Sequence, residues 1–400
     1  MMQIYPNIEQ NFFCPICNQE TTVKKNVWQG IHVGVKSRCK KCQKEYYQDL
    51  NVGHSTYTPY SVDLDTFQLF GSDSSIDWYG TPLQKSLQNP NRNKISFEKE
   101  VFEKKDEVII LNCIDYLYGH SLLKLLNAER HLQSKNQHGL IVIVPKFLEW
   151  MLPEGIAEKW VFDISLKEGQ DFFIDFDNVI NKELERFSKI YISKAFSHPK
   201  NFDITNFTGV KKHNFKDEKF RITFIWREDR LWINNSLLQK SVNKFNIKII
   251  RYLLLAKQKR KLLKVFLRLR EVFPNAEYTV AGFGKYNNFP KWIDNQIVNV
   301  FNENIERKLC QIYSESRLIL GVHGSNMLLP SAHAGMTVDL MPEDRWGNFA
   351  QDILYQEKDV RMSSYRYRYI PINQKPTFIH NMISHMIKDK EHFVENMIID

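Results

Sequence analysis

Four cysteines near the amino terminus have the spacing of a metal site. Cys14-Pro15-Ile16-Cys17 and Cys39-Lys40-Lys41-Cys42 are two Cys-x-x-Cys knuckles separated by 21 residues. Each knuckle supplies two thiolates, and four thiolates complete the tetrahedron that zinc prefers. Four protein ligands leave no open coordination position, so the expectation is a structural Zn2+ rather than a catalytic one. Between the knuckles, Thr21–Trp28 and Ile31–Val35 read as short strands around Gly30, the layout of a zinc ribbon. Cys113 and Cys310 stand alone in apolar or helical surroundings and read as small buried hydrophobes.

The second stretch with chemical content is 318–341. An apolar run, Leu318–Val322, contains Gly321 and meets His323, Gly324, Ser325 and Asn326, after which the sequence becomes helix-like. A strand followed by a glycine turn and a helix start leaves backbone N–H groups unpaired, and with the helix dipole these favour phosphate. A further strand, Met336–Leu340, carries Asp339, an acidic residue placed to accept hydrogen bonds from ribose hydroxyls. Together these residues suggest a grip for a nucleotide diphosphate.

The elements that must position these groups alternate between strand and helix. Glu107–Asn112, Gly139–Pro145, Trp160–Ile164, Phe172–Phe176 and Ile190–Ser193 read as strands, with Asp115–Leu132, Phe147–Leu152 and Glu154–Lys159 helical. Later, Phe220–Trp226 is a strand ending in Arg227, Ile247–Phe273 a long helix, Glu277–Gly282 a strand and Glu303–Ser316 a helix. Strands alternating with helices imply a parallel sheet covered on both faces. The expected organisation is a zinc-ribbon module over 1–50, a linker over 51–100, and α/β domains over 101–205 and 206–374. A terminal helix over 375–400 is expected to return to the first domain. Within the long helix, Leu262, Phe266, Leu269 and Phe273 form an apolar stripe and Lys257, Lys261, Lys264 and Arg268 a basic one. The apolar stripe reads as packed on a sheet; the basic one could also meet anionic lipid.

The chain has 400 residues and a net charge of +9, which favours anionic partners without choosing among them. No apolar run is long enough to span a membrane, and the amino terminus lacks the pattern of an export signal. The expected location is therefore cytoplasmic, with peripheral contact at the inner face of a membrane as a further expectation. Lys36, Arg38, Lys40, Lys41 and Lys44 surround the second knuckle, followed by Tyr46 and Tyr47. Such a pattern can hold single-stranded nucleic acid, but a solvated face or a protein-docking role is the preferred reading. Nucleic acid is not the expected partner. No Walker-type Gly-Lys-Ser/Thr sequence points to a kinase.

Several segments, in order, resemble glycosyltransferase family 61. They are Tyr118-Gly119-His120-Ser121-Leu122-Leu123, the strand Ile222–Arg227 followed by Asp229 and Arg230, and the stretch from Cys310 to Asp339. The chain departs from the family pattern at two positions: His323-Gly324-Ser325-Asn326 stands where His-Gly-Ala-Gly is usual, and Asp339 where Glu is usual. The cysteine ribbon lies outside that pattern. The resemblance implies a GT-B fold of two Rossmann-like domains with the active site in their cleft. It also implies inverting transfer of a sugar from a nucleotide-diphosphate sugar to a glycan, glycolipid or protein hydroxyl, with no catalytic metal expected. In that scheme Gly321, Gly324, Ser325, Asn326 and Asp339 bind the nucleotide, while Arg227 and His323 offset charge on the leaving group. The base would be His120 or Asp115, with Glu129 and Arg130 as candidate acceptor contacts. The competing expectation is a zinc-ribbon adaptor with an inactive α/β body.

Overall fold

The structure is a computed structural model that describes residues 1–134, 137–195, 199, 202–216, 219–234, 248–286, 288–348 and 366–389. It divides into two compact units, Met1–Phe202 and Asp203–Asp400.

The first unit holds two sheets. Strands β1 (Met2–Tyr5), β2 (Thr21–Trp28), β3 (Val33–Cys39), β4 (Glu45–Asp49), β5 (Tyr60–Asp63) and β6 (Leu69–Gly71) come first. They are followed by β7 (Phe97–Val101), β8 (Glu107–Asn112), β9 (Gly139–Pro145), β10 (Glu158–Phe162) and β11 (Lys189–Ile192). Strands β2 to β6 form an antiparallel sheet in sequence order, and the other six assemble as β1-β11-β8-β9-β10-β7. In that second sheet β11, β8, β9 and β10 are parallel, while β1 and β7 add antiparallel edges. Residues alternate between faces. Val108 and Ile110 join a core with Trp28, Val33 and Leu50 from the small sheet and with Phe176 and Ile180 from the helix Ile174–Leu184. Ile109 and Leu111, also fully buried, point the opposite way, and the helix Tyr118–Leu125 packs against β8 and β9.

These contacts correct two expectations. Residues 51–100, read as a linker, carry β5, β6 and the helix Thr81–Gln88, and Tyr60, Val62 and Leu83 are buried. Short antiparallel strands broken by Pro59, Gly71 and Gly80 look like a joint because their apolar residues face a partner that is remote in sequence. The cysteine-bearing strands are likewise part of a shared core with the α/β sheet, not a detached ribbon. Phe172–Phe176, expected as a strand, instead leads into the helix Ile174–Leu184; Phe173 and Phe176 are its buried side. Glu154–Lys159, expected as helical, runs as a turn into β10.

The second unit is built on a six-stranded sheet whose strands are all parallel: β12 (Arg221–Arg227), β13 (Glu277–Phe283), β14 (Ile293–Val298), β15 (Ser316–Val322), β16 (Thr337–Met341) and β17 (Tyr367–Pro371). Their spatial order is β14-β13-β12-β15-β16-β17. Numbered along the chain this is 3-2-1-4-5-6, the doubly wound order of Rossmann-like sheets. Both faces are apolar, as helices on both sides require. Ile222, Phe224, Leu318 and Leu320 share a core with Leu262, Val265, Phe266 and Leu269 of the helix Lys248–Val272. Ile225 and Ile319 point the other way, toward Leu309, Ile312 and Tyr313 of the helix Glu303–Glu315. The apolar stripe of the long helix is thus core.

The carboxy-terminal helix is Pro376–Lys388. Ile379, Ile383, Met386 and Ile387 bury it in the core of the second unit, against the long helix, so it ties that unit together. Residues 390–400 of the expected helix lie outside the described residues. Among the described residues no helix is long and apolar enough to cross a membrane.

Candidate functional site

The sheet order of the second unit marks one place for a ligand. Neighbouring strands β12 and β15 lead their connections in opposite directions, and in open α/β sheets ligands bind outside the carboxyl ends of the strands at this point. Arg227 ends β12, and His323 and Gly324 follow β15. Here Arg227 Nη1 donates to Asn326 Oδ1 at 2.5 Å, and Arg230 Nη1 donates to the His323 carbonyl at 2.5 Å. Two guanidinium groups therefore converge on the turn His323–Asn326. Gly324 adopts φ +147°, and a Cβ there would lie 2.6 Å from Arg227 Nη1. Any side chain at 324 would push the arginines away.

The turn offers unused donors. His323 N–H bonds the Leu340 carbonyl and Met327 N–H bonds the Gly324 carbonyl. The N–H groups of Gly324, Ser325 and Asn326 donate to no acceptor among the described residues, and neither does Asn326 Nδ2. Unpaired donors beside two cations form an anion-binding concavity. The following helix contributes little, because only a three-residue 3-10 turn and the six-residue helix Leu328–His333 follow. The helix dipole expected from the sequence is correspondingly small.

Three residues expected to touch a nucleotide have other duties or partners. Asp339 lies inside β16, fully buried, and its Oδ2 accepts from His323 Nδ1 and from the Tyr367 hydroxyl, both at 3.0 Å. Through Oδ2 it holds the His323 imidazole, while Oδ1 accepts no bond among the described residues. Gly321 pairs with Ile225 and Asp339 in the sheet, and its missing side chain makes room for Met327. It lets Met327 pack against the strand. Arg227 also forms a two-pronged ion pair with Asp229, from Nε at 2.8 Å and from Nη2. Arg230 belongs to the site although sequence reading placed it only within a motif.

The first unit has its own polar cluster, again beyond a carboxyl end of a parallel strand. Asp115 lies three residues past β8 with its side chain fully buried. Its carboxylate faces Lys124 Nζ at 2.9 Å, His54 Nε2 at 3.2 Å and the Leu117 N–H at 3.1 Å. His120 Nδ1 lies 3.5 Å from Oδ1. His120 and Lys124 are one helical turn apart on Tyr118–Leu125, which places both on one face. Burial opposes ionisation of Asp115, but Lys124, His120 and His54 outweigh it and hold its pKa well below the carboxylate range. His120 retains 27% side-chain exposure. An imidazole whose Nδ1 faces a buried carboxylate and whose rim reaches solvent is the arrangement of a general base. Sequence reading missed Lys124, whose i,i+4 spacing from His120 was the signal, and His54, hidden in the presumed linker.

His54, Asp115 and His120 could also present three ligand atoms to a metal, since these lie within 4.8 Å of one another. The Lys124 ammonium already neutralises the carboxylate, so an ion would have to displace it. Glu129 and Arg130, expected near an acceptor, are drawn elsewhere: Glu129 is buried, and Arg130 donates to the Ser193 hydroxyl at 3.1 Å.

The four amino-terminal cysteines do converge, with their sulfurs within 4.8 Å of one another. Cys14 and Cys42 sulfurs are 3.7 Å apart and those of Cys17 and Cys39 3.5 Å apart. A tetrahedral thiolate site with metal–sulfur bonds of about 2.3 Å has sulfurs roughly 3.8 Å apart. The N–H groups of Lys41 and Cys42 point at Cys39 Sγ, each at 3.4 Å. Burial disfavours the Cys14 thiolate, but the Tyr46 hydroxyl at 3.3 Å and backbone N–H groups bring its pKa down to about 6. The set fits a metal ion such as zinc.

Burial keeps two imidazoles neutral: His54 and His131 are both lowered to about 4, His131 also by the nearby Arg130 charge. The unfolded chain protonates them near 6.5. Their contribution to stability is present above that value and is lost as pH falls from about 6.5 toward 4, because the unfolded state then binds more protons. The unfolding free energy of the first unit, read by urea titration, should fall between pH 7 and pH 5 by on the order of 1–2 kcal/mol for each histidine. His54→Gln should remove part of that fall; an unchanged slope would refute the assignment.

No protein-family model and no curated protein matches the sequence. One solved structure to which the chain is similar is the "S. aureus MnaA-UDP co-structure", at 11% identity and a TM-score of 0.29. The match covers 51% of this chain and 48% of that one, about half the length of each. A likeness this distant carries no weight for function.

Proposed function

We propose that the chain is a metal-independent, inverting glycosyltransferase of GT-B type, which moves a sugar from a nucleotide-diphosphate sugar to the hydroxyl of a glycan, glycolipid or protein. The observation that carries this reading is the pairing of Arg227 and Arg230 with the unpaired amides of Gly324, Ser325 and Asn326 at the switch point of a doubly wound sheet. That set suits a diphosphate, whose negative charge grows as the sugar departs. The segments resembling glycosyltransferase family 61 include both halves of this site.

In this reading the acceptor oxygen attacks the anomeric carbon from the face opposite the leaving group. The bond from that carbon to the phosphate oxygen breaks, and the nucleotide diphosphate leaves against Arg227, Arg230, His323 and the turn amides. The acceptor proton passes to His120, held by Asp115. Asp339 keeps His323 in one orientation through Nδ1. Cys14, Cys17, Cys39 and Cys42 hold a structural Zn2+ that stabilises the small sheet and takes no part in the reaction.

A thermal-shift panel of UDP-, GDP- and CMP-sugars tests the donor site. One nucleotide class should raise the melting temperature of the wild type, and the shift should vanish in Arg227→Ala, Arg230→Ala and His323→Ala. No shift with any nucleotide would favour an adaptor with an inactive body.

A further inference from the structure

A cavity of about 360 Å3 lies beside the arginine site, at the carboxyl ends of β12, β13 and β14, and no step above uses it. Glu228, Asp229, Arg251, Phe283, Lys285 and Asn299 line it. Asp229 also pairs with Arg227, so the cavity adjoins the diphosphate site.

Its wall is unusual in two ways. Phe283 is 48% exposed and stacks on Phe301, itself 50% exposed, with centroids 4.9 Å apart and planes 18° apart. Half-exposed stacked rings at a cavity mouth offer a flat apolar face to a ligand. Glu228 is fixed by its Oε1, which accepts the N–H groups of Lys285 and Tyr286, both at 2.7 Å. Its Oε2 makes no bond among the described residues. A carboxylate is thus pinned at the end of β13, with one oxygen left over.

The end of the second strand is where doubly wound sheets hold ribose hydroxyls with an acidic side chain. Glu228 comes from the tail of the first strand, but the amides after β13 carry its carboxylate to that place. Resting on the glycosyl-transfer reading, we propose that this cavity takes the ribonucleoside end of the donor. Glu228 Oε2 accepts from the ribose hydroxyls, the base lies on Phe283, and the phosphates run to Arg227, Arg230 and the turn. Aromatic faces stack on any base, while the carboxylate asks for a ribose. Arg251, which donates to the Glu228 carbonyl at 3.0 Å, and Lys285 offset the acidic wall.

Calorimetric titration of the full chain with pyrophosphate, with UDP, GDP, CDP and ADP, and with their 2′-deoxy forms tests this. The wild type should bind one ribonucleoside diphosphate more tightly than pyrophosphate. Phe283→Ala, at a half-exposed position where folding is little affected, should weaken that nucleotide about tenfold and leave pyrophosphate unchanged. Glu228→Gln should erase the preference for ribose over deoxyribose. Unchanged nucleotide affinity in Phe283→Ala, with binding lost in Arg230→Ala, overturns the cavity and leaves the donor site standing. Equal weakening of nucleotide and pyrophosphate also counts against it. A wild type that binds neither overturns the glycosyl-transfer reading, and this inference with it.

Discussion

His120→Ala is expected to slow sugar transfer by about 10²- to 10⁴-fold, the usual effect of removing a general base, while nucleotide affinity stays unchanged. The split follows from where the residue sits. His120 belongs to the first unit, on Tyr118–Leu125, and the candidate diphosphate donors belong to the second. Single-turnover transfer measured beside donor titration separates the two effects. Asp115→Asn should also slow transfer, with a shifted pH profile, because a neutral amide no longer supports a protonated imidazole. It also leaves the buried Lys124 ammonium without its carboxylate, so a loss of stability accompanies it. Lys124→Met combined with Asp115→Asn should restore part of the stability and none of the rate. A full transfer rate in His120→Ala would remove the residue from the mechanism.

Stripping the metal should have the largest effect on the fold. Structural zinc contributes apparent free energies of about 10–16 kcal/mol in small domains at neutral pH. Cys14 and Cys39 are buried, and Tyr46 beside Cys14 is fully buried as well. Empty, the site would leave four cysteine side chains packed together with no ion to join the two knuckles. A strong chelator, or Cys39→Ser, should release one zinc per chain, lower the melting temperature of the first unit and expose 14–42 to proteolysis. Because β2 and β3 share a core with β8, and β2 to β4 lead the chain to His54, transfer should fall in parallel. An unchanged melting curve in metal-free protein would show that the cysteines hold nothing structural.

Much of the fold was readable because core strands announce themselves. Leu140-Ile141-Val142-Ile143-Val144 and Leu318–Val322 are apolar on both faces, and only a covered parallel sheet makes that stable. Strand β14 escaped notice since Ile293-Asp294-Asn295-Gln296-Ile297-Val298 is an edge strand with polar residues, and β17 is an edge strand too. The cysteine cluster was legible from spacing alone, because ligand geometry is local to each knuckle. The turn after β15 could be picked out from the sequence as a candidate anion grip, but the partners of its residues could not. Asp339 and His323 carry the right residue types, yet whether a carboxylate faces a ligand or a neighbouring imidazole depends on sheet register. Arg230, Glu228 and His54 were out of reach for the same reason: each acts through a partner set by tertiary packing, from His323 to the amides after β13 to Asp115.

The pairing of Asp229 with Arg227 has a consequence for which anions can enter. The carboxylate works as a doorstop: it keeps the guanidinium outstretched when nothing else is there, and any visitor that wants both prongs must turn it aside. The Asp229 side chain is 64% exposed, so swinging outward forfeits little buried surface. A singly charged visitor merely swaps one negative charge for another and gains nothing. On the proposed reading a doubly charged one would come out ahead, so this pair of side chains would favour anions of higher charge.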